Sequence, residues 1–119
     1  ESNMQLVWRV PTFASCEVIA GHVDEASELL IVFARGTQMN NACTEALARH
    51  CLHLRFLEVG CTSVTDASIT AVAQSCSQLQ HLGLEKTKVT DQSITAVAKQ
   101  CSQLQHLDVT WTNVTDDSI

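Results

Sequence analysis

Aromatic residues are scarce in this sequence: its 119 residues include two Trp, three Phe and no Tyr. The interior of the folded chain must therefore be built mainly from Leu, Val, Ile, Ala and Cys side chains. Hydrophobic residues make up 45% of the sequence, which is ordinary for one globular unit with a modest core. This composition suits small repeated units better than a β-sandwich or an enzyme core.

Positive charge and long apolar runs are also scarce. Seven Lys and Arg stand against thirteen Asp and Glu, and the net charge of −6 repels nucleic-acid phosphates. The longest apolar stretch, residues 29–34, is far too short to cross a bilayer, and the chain does not begin with a basic stretch followed by an apolar run. We therefore expect neither nucleic acid nor a membrane as a partner.

The six cysteines are spaced like core residues. Cys51, Cys76 and Cys101 are 25 residues apart, a pattern that a repeat explains without any bridge. A thiol is small, apolar and readily buried, so one cysteine per repeat is expected to pack in the core in a reducing cytoplasm. Disulfide bridges in a secreted repeat protein are the alternative.

An internal repeat decides the architecture. Residues 64–88 align with residues 89–113 without a gap, and 17 of the 25 positions are identical. The same apolar phase continues one and two periods earlier, and a third step places Arg9 at a core position. We therefore predict a flanking or capping unit over residues 1–28 and about three and a half repeats over residues 29–119, the last one truncated, as in a piece of a longer array.

Each repeat is predicted to combine a strand with a short helix. Alternation points Leu82 and Leu84 inward and the residues between them outward, which is the two-residue period of a strand. Apolar residues then recur at helical spacing after an Asp, which predicts helices over 66–76 and 91–101. The predicted N-caps are Asp66, Asp91 and Asp116, with Asn41 in the equivalent place of the earlier repeat. A ladder of turn-stabilising threonines is predicted at Thr37, Thr62, Thr87 and Thr112.

Strand, turn and helix together predict an α/β fold, a right-handed β-α solenoid with parallel strands on its concave face. The string C-x-x-L-x-x-L-x-L-x-x-T-x-V-T-D resembles the cysteine-containing leucine-rich repeats. Similar arrays occur in F-box ubiquitin-ligase subunits and their relatives in the ribonuclease-inhibitor-like superfamily. Thr87 and Thr112 stand where that class has a second cysteine, and residues 1–40 contain no recognisable F-box. The resemblance implies a leucine-rich-repeat solenoid and, by analogy of fold alone, recognition of substrates for ubiquitin ligation.

Outward positions of successive strands should form columns on the concave face. The two near-identical repeats differ at such positions, for example Gly83 against Asp108, while their core positions are mostly repeated. A recognition face built from duplicated units shows this pattern, although solvent positions that simply drift also differ. The predicted partner-binding residues are Ile31, Phe33, Phe56, Glu58, His81, Glu85, Lys86, His106, Asp108, Thr110 and Trp111. The predicted structural residues are Cys51, Cys76, Cys101, Asp66, Asp91 and Asp116.

Two parts of this face have an alternative interpretation. Trp111 either anchors a partner or packs under a following repeat. Ile31, Phe33 and Phe56 form an apolar patch that either is covered by residues 1–28 or is left for a partner.

A metal bound by His81 and His106, with Asp108 beside them, is the weaker interpretation of these side chains, because duplication alone explains the paired histidines. The chain has no Ser-His-Asp order, no glycine-rich phosphate loop and no C-x-x-C pair. We therefore predict no enzymatic activity, no metal and no cofactor.

The function that we predict is non-catalytic protein–protein interaction, with substrate recognition in a ubiquitin ligase as its most specific form. A structural or scaffold subunit of a large intracellular complex is the alternative. Either function places the protein in the cytoplasm.

Overall fold

The computed structural model describes residues 7–23 and 28–118. In these residues five strands alternate with four helices, followed by a short 3-10 turn at Asp116–Ser118. The elements are β1 (Val7–Arg9), α1 (Cys16–Val23), β2 (Ile31–Phe33), α2 (Asn41–His50), β3 (Phe56–Glu58), α3 (Asp66–Ser75), β4 (His81–Gly83), α4 (Asp91–Gln100) and β5 (His106–Asp108). The strands form one parallel sheet in chain order, which is the predicted α/β solenoid. None of the described helices is long and apolar enough to span a membrane.

The strand register follows the repeat, except in the first coil. Ile31, Phe56, His81 and His106 are successive partners at the predicted spacing of 25 residues. Val7 pairs with Ile31 at a spacing of 24 (31 minus 7), so Val10 takes the core position that corresponds to Ala34. The predicted core position of Arg9 was therefore wrong, because the first coil is one residue shorter than the period. That residues 1–28 form a cap stays a prediction, and residues 1–6 and 24–27 of that unit lie outside the described part.

Inward-facing Leu, Val and Cys side chains build the core between the sheet and the helices. Leu57 and Leu82 from neighbouring strands and Val72 from α3 are fully buried, and each such side chain contributes about 1.5–3 kcal/mol. Cys51, Cys76 and Cys101 are also buried, and their backbone N–H groups close the last turns of α2, α3 and α4.

The cysteines are free thiols in this structure. Burial raises the pKa of Cys51 to about 11 and that of Cys76 to about 12. These two thiols therefore stay protonated near neutral pH, as expected of core residues without nucleophilic character.

The predicted threonine ladder is present. In each repeat the Thr hydroxyl donates to the carbonyl three residues earlier: Thr37 to Ala34, Thr62 to Val59, Thr87 to Leu84 and Thr112 to Val109. The same hydroxyl of Thr37 and Thr112 accepts the N–H two residues later. Each turn from strand to helix is thus held by one side chain.

The predicted N-caps were wrong by one residue. Thr65 caps α3, Thr90 caps α4 and Asn40 caps α2, each with an extended backbone and a side-chain oxygen that accepts a helix N–H. Asp66 and Asp91 are instead the first residues of their helices and bond to the next repeat. In the last turn Thr115, and not Asp116, accepts the N–H of Asp117.

The Asp66 carboxylate clamps two neighbouring coils together. It accepts the N–H of Thr90 at 2.8 Å, the Thr90 hydroxyl at 2.5 Å and the Ser93 hydroxyl at 2.6 Å. Asp91 repeats the clamp on Thr115, whose N–H it accepts at 2.8 Å. Charge-assisted hydrogen bonds of this kind are stronger than neutral ones, so these residues fix the stacking of one coil on the next.

Candidate partner-binding face

A continuous ladder of rings crosses the sheet surface that faces away from the helices, which we call the strand face. The rings of Phe56 and His81 stack with centroids 4.0 Å apart and planes 10° apart, and those of His81 and His106 are 4.5 Å and 7° apart. Phe33 meets Phe56 at 4.8 Å in a tilted arrangement, and the Arg9 guanidinium lies 4.3 Å from the Phe33 centroid. Phe56, His81 and His106 belong to one predicted column, and Phe33 and Arg9 from the neighbouring outward positions extend the stack to β1.

Arg9 bears on the open question of the apolar patch. Its guanidinium covers part of Phe33, and Ile31, Phe33 and Phe56 are all half-buried. Arg9, which belongs to the first unit, therefore covers part of the patch through a cation–π contact with Phe33.

An ion network fills the middle of the strand face. Arg35 lies 2.6 Å from a carboxylate oxygen of Glu85 and 3.8 Å from one of Glu58, and Glu58 lies 3.5 Å from Nε2 of His81. The hydrogen bond to Glu85 raises the pKa of Arg35. Arg35 was not among the predicted binding residues, yet it connects two of them across three coils.

Glycines make room for this network. The Gly60 N–H donates to Glu58 at 3.1 Å, and a Cβ added at Gly83 would collide with the Glu58 carboxylate. Gly83 is inside a strand, where glycine often marks a close approach of another group. In the sequence, the glycine at position 83 was the one indication of where the Glu58 side chain lies.

The turns that follow strands β2 to β5 have a backbone feature that the repeat pattern does not predict. Gly36, Cys61, Lys86 and Trp111 occupy the same turn position and have φ angles of 70°, 56°, 59° and 61°. Only glycine adopts this left-handed region without a steric cost, which is about 1–2 kcal/mol for other residues. Trp111 is 75% exposed, so in the described chain it is presented outward from a strained turn.

Asp108 and the two histidines do not converge as metal ligands. The imidazoles lie in parallel planes, and the Asp108 carboxylate accepts the N–H of Thr110 at 3.0 Å. Hydrogen bonds from Thr110 lower the pKa of Asp108. Within residues 7–23 and 28–118, no group of three or more His, Cys, Asp or Glu side chains is placed to hold a metal ion.

A shallow groove, the entry groove, runs along the beginnings of strands β2 to β5. It is lined by the rings of Phe56, His81 and His106 and by Arg55 with two glutamines, and none of the described residues that line it is a carboxylate. The lining residues are Leu30, Ile31, Arg55, Phe56, Gln80, His81, Gln105 and His106.

All eleven predicted binding residues lie on the strand face or in the turns that follow it. Lys86, His106, Thr110 and Trp111 are exposed, and the other seven are half-buried. The structure therefore brings the predicted residues together as one surface, while their part in binding stays a prediction.

The chain matches a protein-family model over most of its length. A protein-family model described as "FBD-associated F-box protein At5g56370, LRR repeats" matches residues 21–117. No curated protein matches the chain. The matched range contains strands β2 to β5, which carry the ring ladder and the ion network.

Proposed function

Because the chain belongs to the leucine-rich-repeat family of FBD-associated F-box proteins, we propose that it is a non-catalytic module that binds a protein partner on its strand face. The observation that carries the proposal is the strand face itself, where successive coils align rings, charges and an exposed Trp111 in columns. Exposed aromatic side chains at interfaces are the usual energetic anchors, because they bury much area at little entropic cost.

Substrate recognition in a cytoplasmic ubiquitin ligase is the most specific form of this function. The support for it is the family description, which names an F-box protein, together with the repeat type. In this form the strand face selects the substrate, and another part of an F-box protein joins the ligase.

A second candidate is a scaffold subunit of a large intracellular complex. Its support is apolar surface away from the strand face: Phe13 is 87% exposed, Val18 63% and Leu52 52%. Exposed apolar side chains that are buried in an assembly would serve this role.

Affinity capture with matched variants tests the proposal. His106→Ala, Asp108→Ala and Trp111→Ala are combined in one face variant, and the control carries Gln74→Ala, Gln92→Ala and Lys99→Ala at exposed positions on the helices. We expect the face variant to lose its partners by about tenfold or more and the control to keep them. Equal retention by both variants would refute binding on the strand face. Co-purification of a ligase adaptor with the full-length protein tests the ligase form, and recovery only with a large particle would favour the scaffold.

A further inference from the structure

We infer that the entry groove binds an extended peptide segment of the partner that carries an aromatic side chain and at least one carboxylate. The inference rests on the proposed function and names the chemistry that the strand face selects. Three properties of the groove lead to it: its length, its stacked wall and its charge.

The length of the groove fits a short extended segment. It crosses the beginnings of β2, β3, β4 and β5, which is three strand spacings. At about 4.8 Å per spacing this is about 14 Å, the span of about four extended residues.

The stacked wall fits an aromatic side chain. Phe56, His81 and His106 present a row of nearly parallel rings, and His106 at its end is exposed. An aromatic side chain of a partner can continue such a row by offset stacking or meet it edge-on.

The charges of the strand face are segregated along the strand direction. Glu58, Glu85 and Asp108 lie toward the strand exits. Glu58 and Glu85 contact Arg35, which partly neutralises their charges, and Glu58 also lies 3.5 Å from Nε2 of His81. Asp108 accepts the backbone N–H of Thr110.

Arg55 is the positively charged residue that lines the entry groove. Its side chain is exposed on the wall of the entry groove, and within residues 7–23 and 28–118 it has no ion pair. A guanidinium presents five donors in a planar fork that fits a carboxylate. The groove is thus locally cationic on a chain of net charge −6, and charges beyond about 8 Å are screened at physiological salt.

Peptide arrays test this inference. The first array contains nonapeptides in a Gly/Ser background with one Trp and two Glu residues at every spacing, and two further arrays replace both Glu residues by Gln or by Lys. Binding of the labelled chain is measured by fluorescence and repeated in solution for the strongest peptides. We expect the Glu peptides to bind about threefold more tightly than their Gln counterparts and about tenfold more tightly than their Lys counterparts.

Three variants test which residues produce the preference for Glu peptides. Arg55→Gln should bring the Glu and Gln peptides to equal affinity, while Lys99→Gln, which removes the same charge from an exposed position on α4, should leave the preference intact. His106→Ala should weaken all Trp peptides by about threefold to tenfold without changing the charge preference. Thermal melts of the three variants confirm that they remain folded.

The inference is overturned if no peptide binds, if Lys peptides bind as tightly as Glu peptides, or if the preference survives Arg55→Gln. It is also overturned if Lys99→Gln abolishes the preference equally. The proposed function is judged separately: partner capture that depends on the strand face, together with silent arrays, would refute only the chemistry inferred for the groove.

Discussion

The coil that contains α2 and the coil that contains α3 bond to their successors differently. Asn41 and Asp66 are both the first residue of a helix, and both reach the N-cap threonine of the next helix. The Asn41 amide accepts the N–H of Thr65 and donates to its hydroxyl, each at 2.9 Å. The Asp66 carboxylate accepts from both groups of Thr90 and from Ser93 as well.

The serine shows what this difference costs. Ser68 is the counterpart of Ser93 one repeat earlier and is fully buried, but its hydroxyl finds no hydrogen-bond partner among the described residues. The Ser93 hydroxyl bonds to the Asp66 oxygen that also accepts the N–H of Thr90, and the second Asp66 oxygen accepts the Thr90 hydroxyl. Asn41 has an NH₂ group in place of that second oxygen, so its neutral amide donates to the Thr65 hydroxyl instead of accepting from it. The two junctions therefore differ in the charge of the acceptor and in the bond to the serine.

Removal of the clamp should have the largest effect. Asp66→Ala leaves the N–H of Thr90 and the hydroxyl of Ser93 without their acceptor, and we expect it to lower the free energy of unfolding by about 2–3 kcal/mol. Asn41→Ala removes a neutral contact and should cost about 1 kcal/mol. Urea unfolding followed by circular dichroism measures both, with the exposed Asp117→Ala as a control that should change little. Equal costs for Asp66→Ala and Asn41→Ala would show that the two junctions are equivalent.

Conversion of the weaker junction should have the next largest effect. Asn41→Asp supplies an acceptor for the Thr65 hydroxyl, offers Ser68 a charged acceptor in place of a neutral one, and places a negative charge at the N-terminus of α2. We expect a gain of about 1 kcal/mol in the free energy of unfolding. In a Ser68→Ala background the part of the gain that comes from Ser68 should disappear, which the same urea titrations can show. A gain that is unchanged in that background would show that Ser68 takes no part and that the effect comes from the Thr65 hydroxyl and the helix terminus.

The turn at the strand exit extends the comparison to the backbone. Gly36 holds the left-handed position in the earlier coil, and Lys86 holds it in the duplicated one. An added Cβ at Gly36 would meet nothing within 4 Å, so Gly36→Ala should cost about 1 kcal/mol through backbone conformation alone. Lys86→Gly should gain about 0.5 kcal/mol, less than the steric relief because glycine loses more entropy on folding.

Lys88→Gly is the matched control for the turn. Lys88 is exposed like Lys86 but has no positive φ angle, so its replacement by glycine should destabilise the chain. Thermal unfolding of the three variants separates these outcomes. If Lys86→Gly and Lys88→Gly are destabilising to the same extent, the left-handed turn is not a source of strain.

The repeat period predicted the core positions and the column of rings. It did not predict contacts that depend on how far a side chain extends. Leu57, Leu82 and Cys76 follow from apolar spacing, and the column of Phe56, His81 and His106 follows from register. Asp66 was misassigned because a carboxylate beside a helix start can accept from its own helix or from the next one, and a repeat pattern is identical in both cases. The ion network of Arg35 spans three coils and depends on the space that Gly83 leaves. A sequence pattern does not give the distance between side chains of different coils, so it could not predict these contacts of Arg35.

The smallest predicted effect is a pH dependence confined to the clamp. Burial of Asp66 raises its pKa, but hydrogen bonds from Ser93 and Thr90 outweigh burial, and the net pKa lies below the ordinary value of 3.8. A carboxyl whose pKa is lowered by folding contributes stability that is present above the unfolded pKa and is lost as the pH falls through the folded pKa. The wild-type chain should therefore lose clamp stability in acid.

Asp66→Asn isolates this contribution, since it reproduces the neutral junction of Asn41 and does not titrate. Between about pH 5 and about pH 2 we expect the stability difference between wild type and Asp66→Asn to shrink, by less than about 1 kcal/mol because Asp66 is only partly buried. The lowered pKa of Asp108 acts equally in both chains and cancels in the difference. Urea unfolding midpoints of both chains, measured across this pH range, test whether the stability difference shrinks. A difference that stays constant with pH would mean that the geometry of the clamp, and not its charge, holds the duplicated coils together.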